Sequence, residues 1–270
     1  MNESTQAEWD AFSDEYFARE GEEYRITLQK IMESPQRAFP REVWEMLQET
    51  FPDLTGKKVL VPSCGDSYAV FGLHLLGADV MAADLSSQQI KNARRRAEEQ
   101  GWDIPFVQAD SMTLESLPDD TYDLVYTSNG PHVWISVLPM LYNSFLRVLK
   151  PGGRYIFFAV HPFNRPFMDG RPKKVHVLGR RIKVAKPYTA VEEGHYHWRV
   201  EDFTRALLGA GFILNDFREL MPYKDDLMPY AWQYKTYKAR EKDKYAKYDW
   251  RKFPPAALPA WLAMRAMKGA

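Results

Sequence analysis

The sequence predicts an α/β protein: a doubly wound, mostly parallel sheet of seven strands, with an N-terminal helical cap and a C-terminal elaboration. Three observations predict it. Between Lys57 and Val160, apolar runs of strand length alternate with helical patterns, as in parallel strands joined by crossover helices. Gly77, Gly101 and Pro151-Gly152-Gly153 punctuate the returns from helix to strand. The first four strands end in small, acidic or amide residues, at the edge where such a sheet holds its ligand.

The strands expected from these runs are residues 58–63, 79–84, 104–109, 122–128 and 153–160, with helices near 67–76, 86–100 and 133–149. Ahead of them, residues 1–52 read as a helical cap. Trp9, Phe12 and Tyr16 recur at helical spacing, and "REVWEMLQETF" supplies a second amphipathic pattern. The remainder, 53–270, reads as one domain carrying a hairpin insertion over 162–197 that turns at Leu178-Gly179. The helix "VEDFTRALLGAG" and strand "FILNDFREL" follow it, then a helical elaboration over 223–256 and a last strand in "PAWLAMRAM".

Composition narrows the class of function. Thirty-six basic residues balance thirty-six acidic ones, so no global field draws a polyanion. The basic, tyrosine-rich stretch 234–252 is net +5, but its tyrosines fall in one helical stripe, which suits docking on the domain better than stacking on bases. Nucleic acid is therefore not expected as a partner. No apolar run approaches the roughly 20 residues a bilayer requires. Five acidic residues precede the first basic one, Arg19, which is the reverse of a signal peptide. With one cysteine there is no internal disulfide, and the expected location is cytoplasmic.

The strand ends are the informative residues. Strand one runs into Ser63-Cys64-Gly65-Asp66-Ser67, small residues that let backbone approach a ligand ahead of a helix N-terminus. Strand two ends in Asp84, nineteen residues after Gly65, the separation at which a carboxylate meets a ribose diol. Strand three ends in Ala109-Asp110-Ser111, and strand four in Ser128-Asn129-Gly130-Pro131. Each alone is the ordinary composition of a turn. Together, in register, they outline a nucleoside crevice.

With "VLVPSCGDS", "AADLSSQQI", "FVQADSM", "YDLVYTSN" and "LRVLKPGGRYIF" in this order, the chain resembles the class I S-adenosylmethionine-dependent methyltransferases, the small-molecule type in particular, over about residues 37–160. The resemblance implies a Rossmann-like methyltransferase fold, and S-adenosylmethionine as cofactor with S-adenosylhomocysteine as product. It implies that Ser63, Cys64, Gly65, Asp66 and Ser67 wrap the methionine part and that Asp84 holds the ribose hydroxyls, with Gln89 as a further ribose contact. Leu85 then packs on the adenine, Asp110 and Ser111 address its amine, and Asn129 meets the amino-acid end. The glycine loop departs from the pattern: Val61 replaces the acid, and Ser63 and Ser67 replace glycines, tolerable where φ stays negative. The lost acid's role falls to backbone carbonyls, to Asp66 or to a residue of the cap.

Methyl transfer needs alignment and exclusion of water more than it needs a base. His132 and His161, just past strands four and five, are the base candidates, each with a competing structural reading as a cap or turn residue. Tyr16 is a candidate to close over the cofactor, with a core-facing aromatic as the default for its stripe, and Cys64 reads as a small side chain packed beneath the loop. His195-Tyr196-His197 puts two imidazoles on one strand face near Glu192 and Glu193, but no third ligand stands at a recognisable spacing, so no metal is expected. Phe163, Phe167, Tyr188, Trp198, Tyr230 and Trp232 suggest an apolar or planar small-molecule acceptor. Two rivals remain at this stage, a nicotinamide-dependent oxidoreductase and a non-catalytic methyltransferase-like binding module. Oligomeric state is not readable.

Overall fold

The computed structural model describes residues 3–128, 130–163, 173–177, 180–184, 191–192, 195–221, 251 and 258–270; within these, the side chains of 3–4, 15–20, 23, 173–177, 180–184 and 191–192 are excepted. The cap is α1 (Glu3–Glu33), a 3-10 turn (Pro35–Ala38) and α2 (Arg41–Thr50). Then come β1 (Lys58–Pro62), α3 (Tyr68–Leu75), β2 (Asp79–Asp84), α4 (Ser87–Glu99), β3 (Phe106–Gln108) and β4 (Tyr122–Thr127). A second 3-10 turn (Pro131–Trp134) leads to α5 (Leu138–Val148) and β5 (Leu149–Val160). β6 (Lys173–Val177), β7 (Arg180–Val184), β8 (Val191–Glu192) and β9 (His195–Tyr196) precede α6 (Val200–Ala210), β10 (Phe212–Leu220) and β11 (Trp261–Lys268).

The main sheet has the order β3-β2-β1-β4-β5-β11-β10. Its first five strands are parallel, and β11 runs antiparallel between β5 and β10. Strand order reverses between β1 and β4, which places the ligand crevice beyond their carboxyl ends. β1 is buried on both faces, as a central parallel strand must be: Val59 and Val61 enter the core shared with α1–α4, Leu60 the core shared with α5 and α6.

Several boundaries differ from expectation for local reasons. β3 shrinks to three residues because Pro105, with no N–H to donate, serves as its lead-in. β5 begins at Leu149 and takes in Pro151-Gly152-Gly153, with a register shift against β4 between Tyr122 and Leu124. A Cβ on Gly153 would stand 2.8 Å from the Lys150 carbonyl oxygen, so that irregularity requires glycine. α5 starts five residues later than expected, behind the 3-10 turn and with proline in its first turn. The pairing of Val177 with Arg180 agrees with a hairpin about 178–179, though those two residues lie outside the described ones. Most of the expected elaboration over 223–256 and the tyrosine stripe within it, with Phe167, Tyr188, Tyr230 and Trp232, also lie outside them.

The cap packs in two manners. Tyr24, Leu28 and Ile31 of α1 enter the core beside Met46 and Leu47 of α2, and a Cβ on Gly72 of α3 would meet Ala38 of the cap turn at 2.4 Å. Earlier in α1, Phe12 is 38% exposed, and the face turned to α4 is polar, formed by Asp10, Ser13 and Asp14. Among the described residues no helix is long and apolar enough to cross a membrane.

Candidate cofactor site

One cavity opens beyond the carboxyl ends of β1 to β4. Ser63 and Gly65 follow β1, Asp84 and Leu85 end β2, and Asp110, Ser111 and Met112 follow β3. Gly130, Pro131, Trp134 and Ile135 follow β4, Gln89 comes from α4, and Thr5 and Trp9 come from α1. The sequence-predicted residues Ser63, Gly65, Asp84, Leu85, Gln89, Asp110 and Ser111 are thus brought to one wall. Asn129 and the side chain of Tyr16 lie outside the described residues.

The β1 turn is tied down by its neighbours. The Gly65 N–H donates to Asp84 Oδ2 at 3.1 Å, and the Ser86 N–H donates to Asp84 Oδ1 at 3.0 Å. Burial raises the Asp84 carboxyl above the usual range, against these hydrogen bonds, which favour its ionised form. Ser63 and Ser111 share a hydroxyl–hydroxyl bond of 2.8 Å across the cavity wall. Ser63 and Ser67 both hold left-handed backbone, φ 52° and 64°, so the condition of negative φ is not met and the loop keeps the glycine geometry without the glycines.

Cys64 and Asp66 do not line the cavity. Cys64 is buried in the core beneath the turn, and burial pushes its thiol well up, which disfavours the nucleophilic thiolate. Asp66 faces the cap: its carbonyl accepts the Tyr24 hydroxyl at 3.1 Å, and its carboxylate accepts the Tyr68 N–H at 3.2 Å. The carboxylates that do face the cavity are Asp84 and Asp110, the second accepting the Met112 N–H at 2.9 Å.

The two histidines expected as bases stand elsewhere. A 3-10 turn has three residues per turn, so Pro131 and Trp134 share the face that lines the cavity while His132 points away. His132 is 1% exposed among the rings of Phe157 and Phe203, with Nε2 3.3 Å from the Tyr155 hydroxyl. His161 is likewise buried at the end of β5; Nδ1 accepts the Phe163 N–H, and Nε2 lies 3.1 Å from Glu219. His195 packs its ring on Trp134 at 4.3 Å, and Trp198 Nε1 donates to the Ile135 carbonyl at 3.0 Å, so the end of the insertion braces the cavity wall. Among the described residues no group of three or more His, Cys, Asp or Glu is arranged to hold a metal.

Sequence reasoning missed Thr5, Trp9, Met112, Trp134 and Ile135. Trp134 had a signal, its i+3 spacing from the proline that opens the turn. Trp9 had only its position on the cap stripe.

Comparison with known proteins places this geometry. Residues 59–153 match the methyltransferase domain family. Demethylmenaquinone methyltransferase of Thermus thermophilus is 31% identical over 103 residues, 38% of this chain and 46% of that protein. A protein of Neonectria named S-adenosyl-L-methionine-dependent Diels-Alderase iliD is 26% identical over 166 residues, 60% of this chain and 61% of that one. The chain therefore spans about half the length of these curated relatives. The solved structure of an S-adenosylmethionine-dependent methyltransferase from Mesorhizobium loti shares the fold, with a TM-score of 0.60 at 24% identity over 83% of this chain and 96% of that one. Residues 59–153 thus match a methyltransferase domain, carried on the Rossmann-like fold of the class I S-adenosylmethionine-dependent methyltransferases.

Proposed function

We propose that this chain moves a methyl group from S-adenosylmethionine to a small organic acceptor. The observation that carries the reading is the charge of the cavity. Among the described residues, fourteen line it, of which two are carboxylates and none is basic. A sulfonium and an ammonium meet such a wall favourably, whereas the pyrophosphate of a nicotinamide dinucleotide meets repulsion and, at the β1 turn, two bonded serine hydroxyls.

The residues present fit the cofactor. Gln89 is buried, and its Oε1 faces no hydrogen-bond partner, an acceptor left for a hydroxyl donor beside Asp84. Asp84 and Gln89 would take the ribose hydroxyls, Asp110 the adenine amine, and Leu85 and Met112 the faces of the ring. When bound, the cofactor supplies an electrophilic methyl carbon on a sulfonium. Pro131, Trp134 and Ile135 then wall the cavity against water and hold an apolar or planar acceptor in line.

A second reading has its own support. The Diels-Alderase relative aligns over more of the chain than the quinone methyltransferase does, and neither His132 nor His161 lines the cavity. In that reading the cofactor is bound and the acceptor oriented, and no methyl group leaves.

Calorimetric titration with S-adenosylhomocysteine tests the cofactor, and undetectable binding defeats both readings. Incubating S-adenosylmethionine with an acceptor panel, and following S-adenosylhomocysteine release together with the mass of each product, tests the transfer. A gain of one methyl mass supports the first reading. An isomerised or cyclised product of unchanged mass supports the second.

A further inference from the structure

We propose that Trp9 is a ligand-contact residue of the cofactor cavity, and that Asp10 positions it by latching the first turns of α1 onto the N-terminus of α4. The inference rests on the cofactor reading above and adds to it a wall contributed by the cap.

Thr5 and Trp9, one helical turn apart, line the cavity together. The Trp9 indole meets Trp134 edge-on, with ring centroids 5.1 Å apart, and His195 backs Trp134 from the insertion. Two indoles from segments 125 positions apart thus face one cavity that also carries two carboxylates.

The next residue holds this stretch in place. Asp10 Oδ1 accepts the Ser86 hydroxyl at 2.6 Å, the Gln88 N–H at 3.1 Å and the Ser87 hydroxyl at 3.4 Å. Asp14 Oδ1 accepts Gln88 Nε2 at 2.7 Å and Asn92 Nδ2 at 3.1 Å. A carboxylate is well placed at a helix N-terminus, where backbone N–H groups lack partners. Ser86 is itself the N-cap of α4, accepting the Gln89 N–H, and its own N–H donates to Asp84. One residue therefore joins the α1 latch to the carboxylate expected to hold the ribose.

The chemistry of the contact suits a wall that opens. Among the described side chains, the first of α1 in the apolar core is Tyr24, whereas the Asp10 to Asp14 stretch is held by hydrogen bonds that water can replace. Releasing it exposes the cavity without disturbing the core.

The test uses the full chain and measures dissociation of S-adenosylhomocysteine for the unaltered protein, Trp9→Leu, Asp10→Asn and the double variant. A lid acts mainly on the off-rate, so each single variant is expected to release ligand about tenfold faster. The double variant is expected to match Trp9→Leu, because Asp10 works through Trp9, and melting without ligand is expected to stay unchanged. In the unaltered protein, ligand is expected to slow amide exchange over residues 3–14. Binding by the unaltered protein with an unchanged off-rate in Trp9→Leu, or with no added protection over 3–14, overturns the lid and leaves the cofactor reading standing. A full Asp10→Asn effect persisting in the Trp9→Leu background overturns the positioning role. No binding by the unaltered protein defeats the cofactor reading, and the lid with it.

Discussion

Gly65 and Asp84, nineteen positions apart in sequence, are joined by a hydrogen bond of 3.1 Å that ties the turn after β1 to the end of β2. The same carboxylate holds the Ser86 N–H, so it organises its own binding site before any ligand arrives. Asp84→Ala leaves the buried Ser86 N–H and the half-buried Gly65 N–H without their acceptor, a loss of about 1–3 kcal/mol each at most. The expected outcome is a lower melting temperature together with loss of S-adenosylhomocysteine binding in calorimetry. Asp84→Asn, which retains one acceptor oxygen, is expected to recover part of the stability and little of the binding.

Burial raises the Asp84 carboxyl above the usual range. A carboxyl whose folded value exceeds its unfolded one contributes stability at low pH that is lost as pH rises through the folded value. Binding of a cation follows the opposite course, because it needs the ionised form. Affinity for S-adenosylmethionine is therefore expected to weaken on acidification at a pH above 3.8, the ordinary aspartate value. A pH series of titrations with the unaltered protein checks that limb.

His161 lies on the other side of the same linkage. Burial lowers it from the ordinary value of 6.5, more than the Glu219 carboxylate raises it. Its contribution is fully present above pH 6.5 and is lost as pH falls through the lower folded value. His161→Gln is expected to reduce the acid-side slope of melting temperature against pH.

Ser67 occupies left-handed backbone, and its hydroxyl reaches the Gly65 carbonyl only at 3.5 Å. Left-handed geometry costs an L-residue about 1–2 kcal/mol, and glycine's extra unfolded entropy returns about 0.5–1 kcal/mol of that. Ser67→Gly is expected to raise the melting temperature slightly. Ser63→Gly should gain less, because it also removes the 2.8 Å bond to Ser111.

Gly72 is where α3 touches the cap, 2.4 Å from Ala38 once a Cβ is added. Gly72→Val is expected to cost about 1–3 kcal/mol by overpacking. Denaturant melts would read the stability loss, and faster proteolysis within residues 35–50 would show that the cap is what yields.

The strand ends were legible because each is fixed by its own short run: an apolar strand, then a polar residue at the edge where the sheet stops. Asp84, Asp110 and Ser111 needed nothing remote to place them. His132 was misplaced because sequence gives its distance from β4 but not the three-residue period of the turn that follows. Trp9 was not singled out because the rotation of α1 about its axis is set by Ser86, Gln88 and Asn92, more than 70 positions away. The positive φ of Ser63 and Ser67 was hidden because an L-residue defaults to the other side of the map, and only the surrounding bonds overrule that default.

β11 sits between β5 and β10, pairing with both. Among the described residues, strand β10 therefore has no neighbour to bond until residues 261–268 have been synthesised, although α6 and β10 leave the ribosome about 40 residues earlier. During that interval β5 presents an open edge, with Tyr155 and Phe157 on one face and Ile156 and Phe158 on the other. Yield in a cell should then depend on how quickly translation covers that edge, so slow codons placed between β10 and β11 are expected to increase aggregation without changing the finished protein.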